Sequence, residues 1–254
     1  MHITRKRLDQ VLVERGLMPS RARAQSEISD GHVLVAGEVA RKPAQMVSDE
    51  DEITLSSSVH EYVSRAALKL VHALDHFGID VRDKFCLDIG ASTGGFTQVL
   101  LERHAAHVTA IDVGHSQLVP ALANNPRVTL FEGLNAKDLT PEHLYPPVGI
   151  VTCDVSFISL AKALDPLLDL CMETLDLLQE NASLVLLIKP EFEVGKGNLG
   201  GGGIVRDPAL HAQVCDNLSS WLRSKGQWEV FDIIESPIQG GDGNKEFFLA
   251  ARLK

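Results

Sequence analysis

The run Leu87-Asp88-Ile89-Gly90-Ala91-Ser92-Thr93-Gly94-Gly95-Phe96-Thr97 has the make-up of a turn that lets a ligand touch backbone. It joins an apolar strand-like stretch to a helical one, and glycines there permit close approach beside a helix N-terminus. No G-K-[ST] follows, so it is not a phosphate-gripping loop, and Gly90, Gly94 and Gly95 miss the G-x-G-x-x-G spacing of a dinucleotide site. At the end of the next strand candidate, Ala110-Ile111-Asp112 places a carboxylate where it can take both hydroxyls of a ribose. After the third, Gly133-Leu134-Asn135-Ala136 offers an amide and backbone to an adenine edge. Three such elements at successive strand ends of one sheet point to a nucleoside-bearing cofactor.

Two further strand ends carry charge. Asp154 stands in Cys153-Asp154-Val155-Ser156, and Lys189 caps the apolar run Leu184–Ile188, which brings its side chain out at the lip of the crevice. Lys69 lies on a helix whose apolar stripe is Ala67, Leu70, Val71, Leu74 and Phe77, about 100° away from that stripe. Glu246 opens the last strand candidate. His72 and His76 are four apart on a helix, and His104 and His107 flank a turn, but no third ligand accompanies either pair, so no metal is expected. Cys86, Cys153, Cys171 and Cys215 form no C-x-x-C pair and read as small core residues or free thiols.

The elements that must position these residues alternate. Strand candidates are 85–89, 107–113, 128–132, 149–154, 183–189, 229–235 and 246–252, with helical stretches between most of them. The last two are joined by Gln239-Gly240-Gly241-Asp242-Gly243-Asn244, so a mostly parallel doubly wound sheet should end in an antiparallel hairpin. The glycine-rich connection from Glu191 to Arg206 reads either as a loop that folds over a ligand or as a disordered link. Ahead of the sheet lies a smaller α+β region. A helix over Arg7–Leu17 stops at Gly16, and Ser20 caps a second helix carrying Ala22, Ala24 and Ile28 and ending at Gly31. Val33–Val39 reads as strand, turn and returning strand. An acidic turn, a strand at Ile53-Thr54-Leu55 and the polar linker Ser56-Ser57-Ser58 follow.

In 254 residues, 44% hydrophobic and 23% charged, there is chain for one or two cored domains. Aromatics are 5%, which argues against a broad stacking surface for single strands. No apolar run approaches a membrane span, and an acid at Asp9 interrupts any signal-peptide core, so a cytoplasmic address is expected. The net charge of −10 is uneven: residues 1–42 hold eight Lys/Arg against five Asp/Glu, leaving −13 on the remainder. A basic head on an acidic body suggests that the head meets a polyanion.

Family resemblances accompany these readings. The head, with Arg7-Leu8-Asp9, Leu12-Val13-Glu14-Arg15-Gly16-Leu17, Ser20-Arg21 and Val33…Gly37, resembles the alpha-L motif, an RNA-binding domain named after a small-subunit ribosomal protein. D-I-G-x-x-x-G-G-F resembles the S-adenosylmethionine loop of Rossmann-like methyltransferases, which implies cofactor contacts from Asp88, Gly90, Ser92, Gly94, Gly95, Phe96, Thr97, Asp112, Asn135 and Ala136, with Asp88 facing the amino-acid end. Lys69, Asp154, Lys189 and Glu246 resemble the Lys-Asp-Lys-Glu tetrad of FtsJ-like ribose 2'-O-methyltransferases. With the Tyr62-Val63-Ser64-Arg65 junction, the chain is similar over its whole length to the TlyA family of ribosomal RNA methyltransferases, whose members also carry the label hemolysin.

That resemblance implies an α/β fold: a Rossmann-like seven-stranded methyltransferase sheet with a small N-terminal α+β RNA-binding domain. The domains would span 1–58 and 65–254, with a linker at 59–64. It implies methylation of a ribose, cytidine by analogy, in ribosomal RNA or ribosomal subunits. Lys189 would be the base, if neutral, with Asp154 orienting it and Glu246 holding Lys69 or the ribose; which lysine is neutral stays open. RNA contacts would fall to Arg5, Lys6, Arg7, Arg21, Arg23, Arg41, Lys42 and Arg65, so reversing Arg21 together with Arg23 should weaken RNA binding. The competing readings are a non-catalytic RNA-binding or assembly protein, a membrane-active hemolysin, and a small-molecule methyltransferase, which would not need the basic head.

Overall fold

The structure is a computed structural model, and it describes residues 5–18, 20–29, 31–56, 62–174, 176–240 and 243–254, the side chains of Ala22, Ser26 and Lys196 excepted. The expectations at Met1–Thr4, at Ser57 and Ser58, at linker positions 59–61 and at Gly241-Asp242 lie outside those residues. The chain divides into two compact units, Met1–Val63 and Ser64–Lys254.

The first unit packs two helices on two small sheets. Strand β1 (Arg5–Arg7) runs into helix α1 (Leu8–Glu14), and α2 (Arg21–Ser29) follows. Arg7 is therefore extended, not the first residue of a helix as its neighbours suggested. At the far end Gly16, at φ +68°, donates to the Val13 carbonyl while Leu17 donates to Leu12. This is the paired closure that a left-handed residue permits, so the helix stops there. Ser20 caps α2 by accepting from the Arg23 amide at 3.2 Å. Strands β2 (Val33–Val35) and β3 (Glu38–Val39) form a hairpin whose two turn residues, Ala36 and Gly37, both have positive φ, as a tight two-residue hairpin requires. Strand β4 (Met46–Ser48) pairs with β1, and β5 (Ile53–Leu55) pairs with β2. The core is Leu8, Leu12, Met18, Ala24, Ile28, Val33 and Val47.

In the second unit, helix α3 (Ala66–Phe77) precedes the parallel strands β6 (Phe85–Ile89), β7 (His107–Asp112), β8 (Val128–Glu132), β9 (Val148–Cys153) and β10 (Leu178–Ile188). Helices α4 (Gly95–Glu102), α5 (Pro120–Ala123), α6 (Leu160–Glu173) and α7 (Pro208–Ser224) connect them, and β11 (Trp228–Glu235) and β12 (Phe247–Leu253) finish the sheet. The strand order is β11-β12-β10-β9-β6-β7-β8. The terminal hairpin is antiparallel as expected, and β12 inserts between β10 and β11, antiparallel to both. This is the expected seven-stranded, mostly parallel sheet.

β10 begins five residues before the expected Ser183, with its register against β9 shifting between Leu178 and Ser183. The chain turns back across the sheet between β8 and β9, so the carboxyl ends of β6 and β9 flank the topological switch point, where ligands of such sheets sit.

Candidate active site

A cavity of about 450 Å³ opens at that switch point, lined among others by Gly90, Ser92, Asp112, Asn135, Ala136 and Asp154. A smaller one of about 190 Å³, sharing Gly90, Ser92 and Asp154, reaches Ser64, Gly95 and Phe96. Gly90 is required on two counts: its φ is +83°, and a Cβ there would run into the Asp154 carbonyl oxygen. The ends of β6 and β9 can close on each other only because that side chain is missing.

Asp112 is held ready by backbone. Its Oδ2 accepts from the Ser92 amide at 2.8 Å and its Oδ1 from the Gly114 amide at 2.7 Å. A carboxylate has about four acceptor sites, so capacity is left for a diol. The Asn135 side chain accepts from the Lys137 amide at 3.2 Å, which fixes the turn that brings Asn135 and Ala136 to the cavity.

Asp88 is placed differently from the expectation that it faces a ligand. It is fully buried under the loop, its two oxygens accepting from Thr97 Oγ1 at 2.7 Å and Thr152 Oγ1 at 2.9 Å. It ties β6 to α4 and β9. Thr97 serves that bond from a fully buried position, and Phe96 is buried with its ring stacked on Phe248. Gly94, also at positive φ, abuts Leu118 and Leu122 of the following loop and helix.

Burial outweighs the two threonine bonds and raises the Asp88 carboxyl from 3.8 to about 6. The folded protein thus keeps this proton to a higher pH than the unfolded chain does. The group's cost to folding grows as pH rises through that window and is complete above it, at about 3 kcal/mol for two pKa units. Asp88→Asn is therefore expected to raise the melting temperature at pH 7.5, with the gain falling by about half at pH 5. Thermal unfolding at the two pH values checks this. A pH-independent loss in the variant would sink the assignment.

Two ion pairs complete the site. Lys189 Nζ lies 2.6 Å from Asp154 Oδ1 and donates to Ser156 Oγ at 2.8 Å. Lys69 Nζ donates to Glu246 Oε2 at 2.5 Å. All four side chains are at most 17% exposed. The pairs also feel each other, Glu246 acting on Lys189 and Lys189 on Glu246. Four segments far apart in sequence thus deliver two cations and two anions to one place. Burial pushes the Lys189 ammonium down, but Asp154, Glu246 and Glu191 more than offset it, so its pKa lies above the ordinary lysine value. Burial raises the Glu246 carboxyl against the opposing pull of Lys69.

Sequence reasoning missed Gln117, Ser156, Phe157 and Ile158, which also line the cavity. Phe157 had one local signal, an aromatic beside Asp154. It is 90% exposed at φ +67°, its ring 5.2 Å from that of Phe192, an aromatic face suited to stacking on a base. The connection after Lys189 is built of short 3₁₀ turns at Pro190–Phe192, Lys196–Asn198 and Gly201–Gly203. The four cysteines are free, and burial pushes their thiols up. His76 bonds Asp232 at 2.9 Å and His107 bonds Thr129 at 2.8 Å. Among the described residues, no group of three or more His, Cys, Asp or Glu is placed to hold a metal.

In the first unit the basic residues divide into two kinds. Arg5, Arg41 and Lys42 are exposed. Lys6 pairs with Glu14 at 2.7 Å. Arg7 grips the buried Asp9 through two nitrogens at 2.9 Å each, and Arg21 reaches the same carboxylate at 3.1 Å while staying half exposed. These donors hold the Asp9 carboxyl well below the usual range. Arg23 does not face solvent as expected: it is 6% exposed, and its guanidinium pairs with the fully buried Glu27 at 2.8 Å. Counted to Val63, ten acids stand against the eight bases, so the positive charge of this unit is local. Arg65, in the second unit, is partly buried at the start of α3.

Comparison with known proteins finds a separate family match in each part of the chain. Residues 62–253 match the model of the FtsJ-like methyltransferase family, and residues 6–53 match the S4 domain. The 16S/23S rRNA (cytidine-2'-O)-methyltransferase TlyA of Mycobacterium tuberculosis is 46% identical over 98% of this chain and 90% of its own. Hemolysin A of Brachyspira hyodysenteriae is 41% identical over 95% of this chain and 97% of its own. A solved structure from Streptococcus thermophilus, also carrying the hemolysin name, is 35% identical with a TM-score of 0.76, covering 99% of this chain and 90% of that one.

Proposed function

Since the chain belongs to the FtsJ-like methyltransferases and, within them, to the TlyA family, we propose that it transfers a methyl group from S-adenosylmethionine to a ribose 2'-hydroxyl, on cytidine, in ribosomal RNA of the cytoplasm. The observation that carries this is the convergence of Lys69, Asp154, Lys189 and Glu246 in two coupled ion pairs, with Asp154 lining a cofactor-sized cavity. The division of labour proposed with it gives RNA binding to residues 1–58, the link to 59–64 and the chemistry to 65–254.

The cavity fits the cofactor by donor chemistry. Asp112 offers a pre-held carboxylate to a ribose diol, Asn135 and Ala136 an edge for a base, and the bare backbone at Gly90 leaves room for close approach. When bound, S-adenosylmethionine supplies a methyl group on a sulfonium, open to in-line displacement.

The protein's part is to bring the 2'-hydroxyl into line and take its proton. Lys189, anchored by Asp154 and Ser156, reaches the acceptor oxygen and receives the proton as its amine. Lys69, fixed by Glu246, adds positive charge that favours the developing alkoxide and the neutral form of Lys189. Alignment of donor and hydroxyl supplies much of the rate.

Because the carboxylates hold Lys189 above the ordinary lysine value, only a small fraction is neutral at pH 7. The single-turnover rate is expected to climb nearly tenfold per pH unit from pH 6.5 to 9. A flat profile would remove Lys189 as the base.

The reaction itself is tested with radiolabelled S-adenosylmethionine and, separately, ribosomes, free subunits and naked ribosomal RNA. Label in an alkali-resistant dinucleotide establishes ribose methylation, and the accepting particle identifies the substrate. Measurable cofactor binding with no label in any particle overturns it. Among the described residues no helix is long and apolar enough to cross a membrane. Leakage of liposomes by the pure protein would favour the membrane-active reading instead.

A further inference from the structure

The glycine-rich connection between Lys189 and α7 has roots beside both ion pairs. Its first root starts at Lys189 itself and is held where Glu193 Oε1 accepts from the Leu160 amide at 2.8 Å. Between the roots, a Cβ built on Gly195, Gly197, Gly201, Gly202 or Gly203 would meet nothing within 4 Å. These glycines answer to no packing demand from the fold around them.

The second root is pinned hard. Val205 is 2% exposed, its amide donates to Asn244 Oδ1 at 2.9 Å, and its carbonyl accepts from His211 Nε2 at 3.0 Å. Asn244 Nδ2 also donates to the Gly203 carbonyl at 3.2 Å. Asn244 is 1% exposed, and its own carbonyl accepts from the Gly240 amide at 2.9 Å. Two residues further on stands Glu246, whose carbonyl accepts from Ser236 at 2.8 Å and whose carboxylate holds Lys69.

A buried amide that spends both ends of its side chain on one loop fixes that loop at a definite register. We propose that Asn244 is a positioning residue: it locks the glycine-rich loop to the segment bearing Glu246, so that loop and Lys69–Glu246 pair are placed together for the transfer. This rests on the reaction proposed above. Asn244 does not line the larger cavity, and both ends of its side chain are taken up by Val205 and Gly203. Its effect passes through Glu246 and the loop.

The test compares wild type, Asn244→Ala and Asn244→Asp. The aspartate keeps the acceptor for Val205 and loses the donor to Gly203. The expected result for Asn244→Ala is a 10- to 100-fold lower single-turnover rate at saturating RNA. Its cofactor dissociation constant should stay within threefold, and Asn244→Asp, which sets a buried carboxylate oxygen against the Gly203 carbonyl, should be slowed at least as much. Amide hydrogen exchange should speed up in Asn244→Ala at 200–206 and 244–248 together. A rate within twofold of wild type overturns the proposal. So does a cofactor affinity that falls in step with the rate, or faster exchange in the loop alone. A wild type that labels no RNA overturns the reaction reading and the kinetic half of this one, and the exchange measurement then decides the clamp by itself.

Discussion

Lys189→Ala is expected to lower methyl transfer by roughly 10²–10⁴-fold, the usual worth of a positioned acid–base group, while the cofactor dissociation constant stays within about threefold. The separation follows from placement. Lys189 does not line the larger cavity, whereas its partner Asp154 does and also supplies the carbonyl against which Gly90 packs. Asp154→Ala should therefore weaken cofactor binding and turnover together. Removing Lys189 leaves a partly buried carboxylate with one cation fewer, which costs stability, so the melting temperature should be read alongside. Lys189→Arg is not expected to rescue, because a guanidinium cannot give up its proton at any working pH. Isothermal titration with the cofactor and single-turnover transfer, on the same preparations, give the two numbers. A variant within a few-fold of wild type would remove the base role and leave Lys189 as an anchor for Asp154.

The second large effect separates two arginines that are neighbours in sequence. Arg23→Glu puts a second carboxylate beside the buried Glu27, in place of the cation that balances it. Breaking a buried pair in this way costs about 3–5 kcal/mol, a large part of what a unit of this size has. The expected result is loss of a folded N-terminal unit, seen as early proteolysis within residues 1–63. Arg21→Glu is different, because half of that side chain faces water and its partner Asp9 keeps Arg7 and Gln25. It should stay folded and bind ribosomal RNA more weakly, with a shallower dependence of affinity on salt. Reversing Arg41 and Lys42, both exposed, should act like Arg21→Glu. Combining Arg21→Glu with Arg23→Glu is therefore a poor probe of the interface, since unfolding and lost contact would look alike. An Arg23→Glu protein as protease-resistant as wild type would contradict the burial argument. Unchanged RNA affinity in both surface variants would take this face out of the interface.

These contrasts show where reading the chain succeeded. β6 and β8 fall where the apolar runs place them, and β7 and β9 to within one residue. The hairpin turn at Ala36-Gly37 and the stop at Gly16 were visible as turn chemistry. The pair β1 and β4 was not. Each is three residues long, β1 is all basic, and neither has an alternation to betray it. They exist because Arg5 and Ser48, over forty residues apart, lie opposite each other. Lys69 was read as lying off the apolar stripe of α3, yet it is 8% exposed. What covers it is not on its own helix: Glu246 arrives from the far end of the chain.

By itself, then, the sequence determined what depends on near neighbours: the alternation of strands and helices, the turns and caps, the order of the strand ends that line the cavity, and a resemblance to a family of known chemistry. Periodicity and turn preference act over a few residues, so they survive in a linear text. Tertiary structure decided which groups are buried and whom they face. Arg23 turned inward beside Arg21, Asp88 went beneath its loop instead of into the cavity, Asn244 became the clamp of a distant loop, and Lys189 came to hold its proton tightly. Burial and electrostatic environment are sums over everything nearby in space, and most of what lies near these groups is distant in sequence.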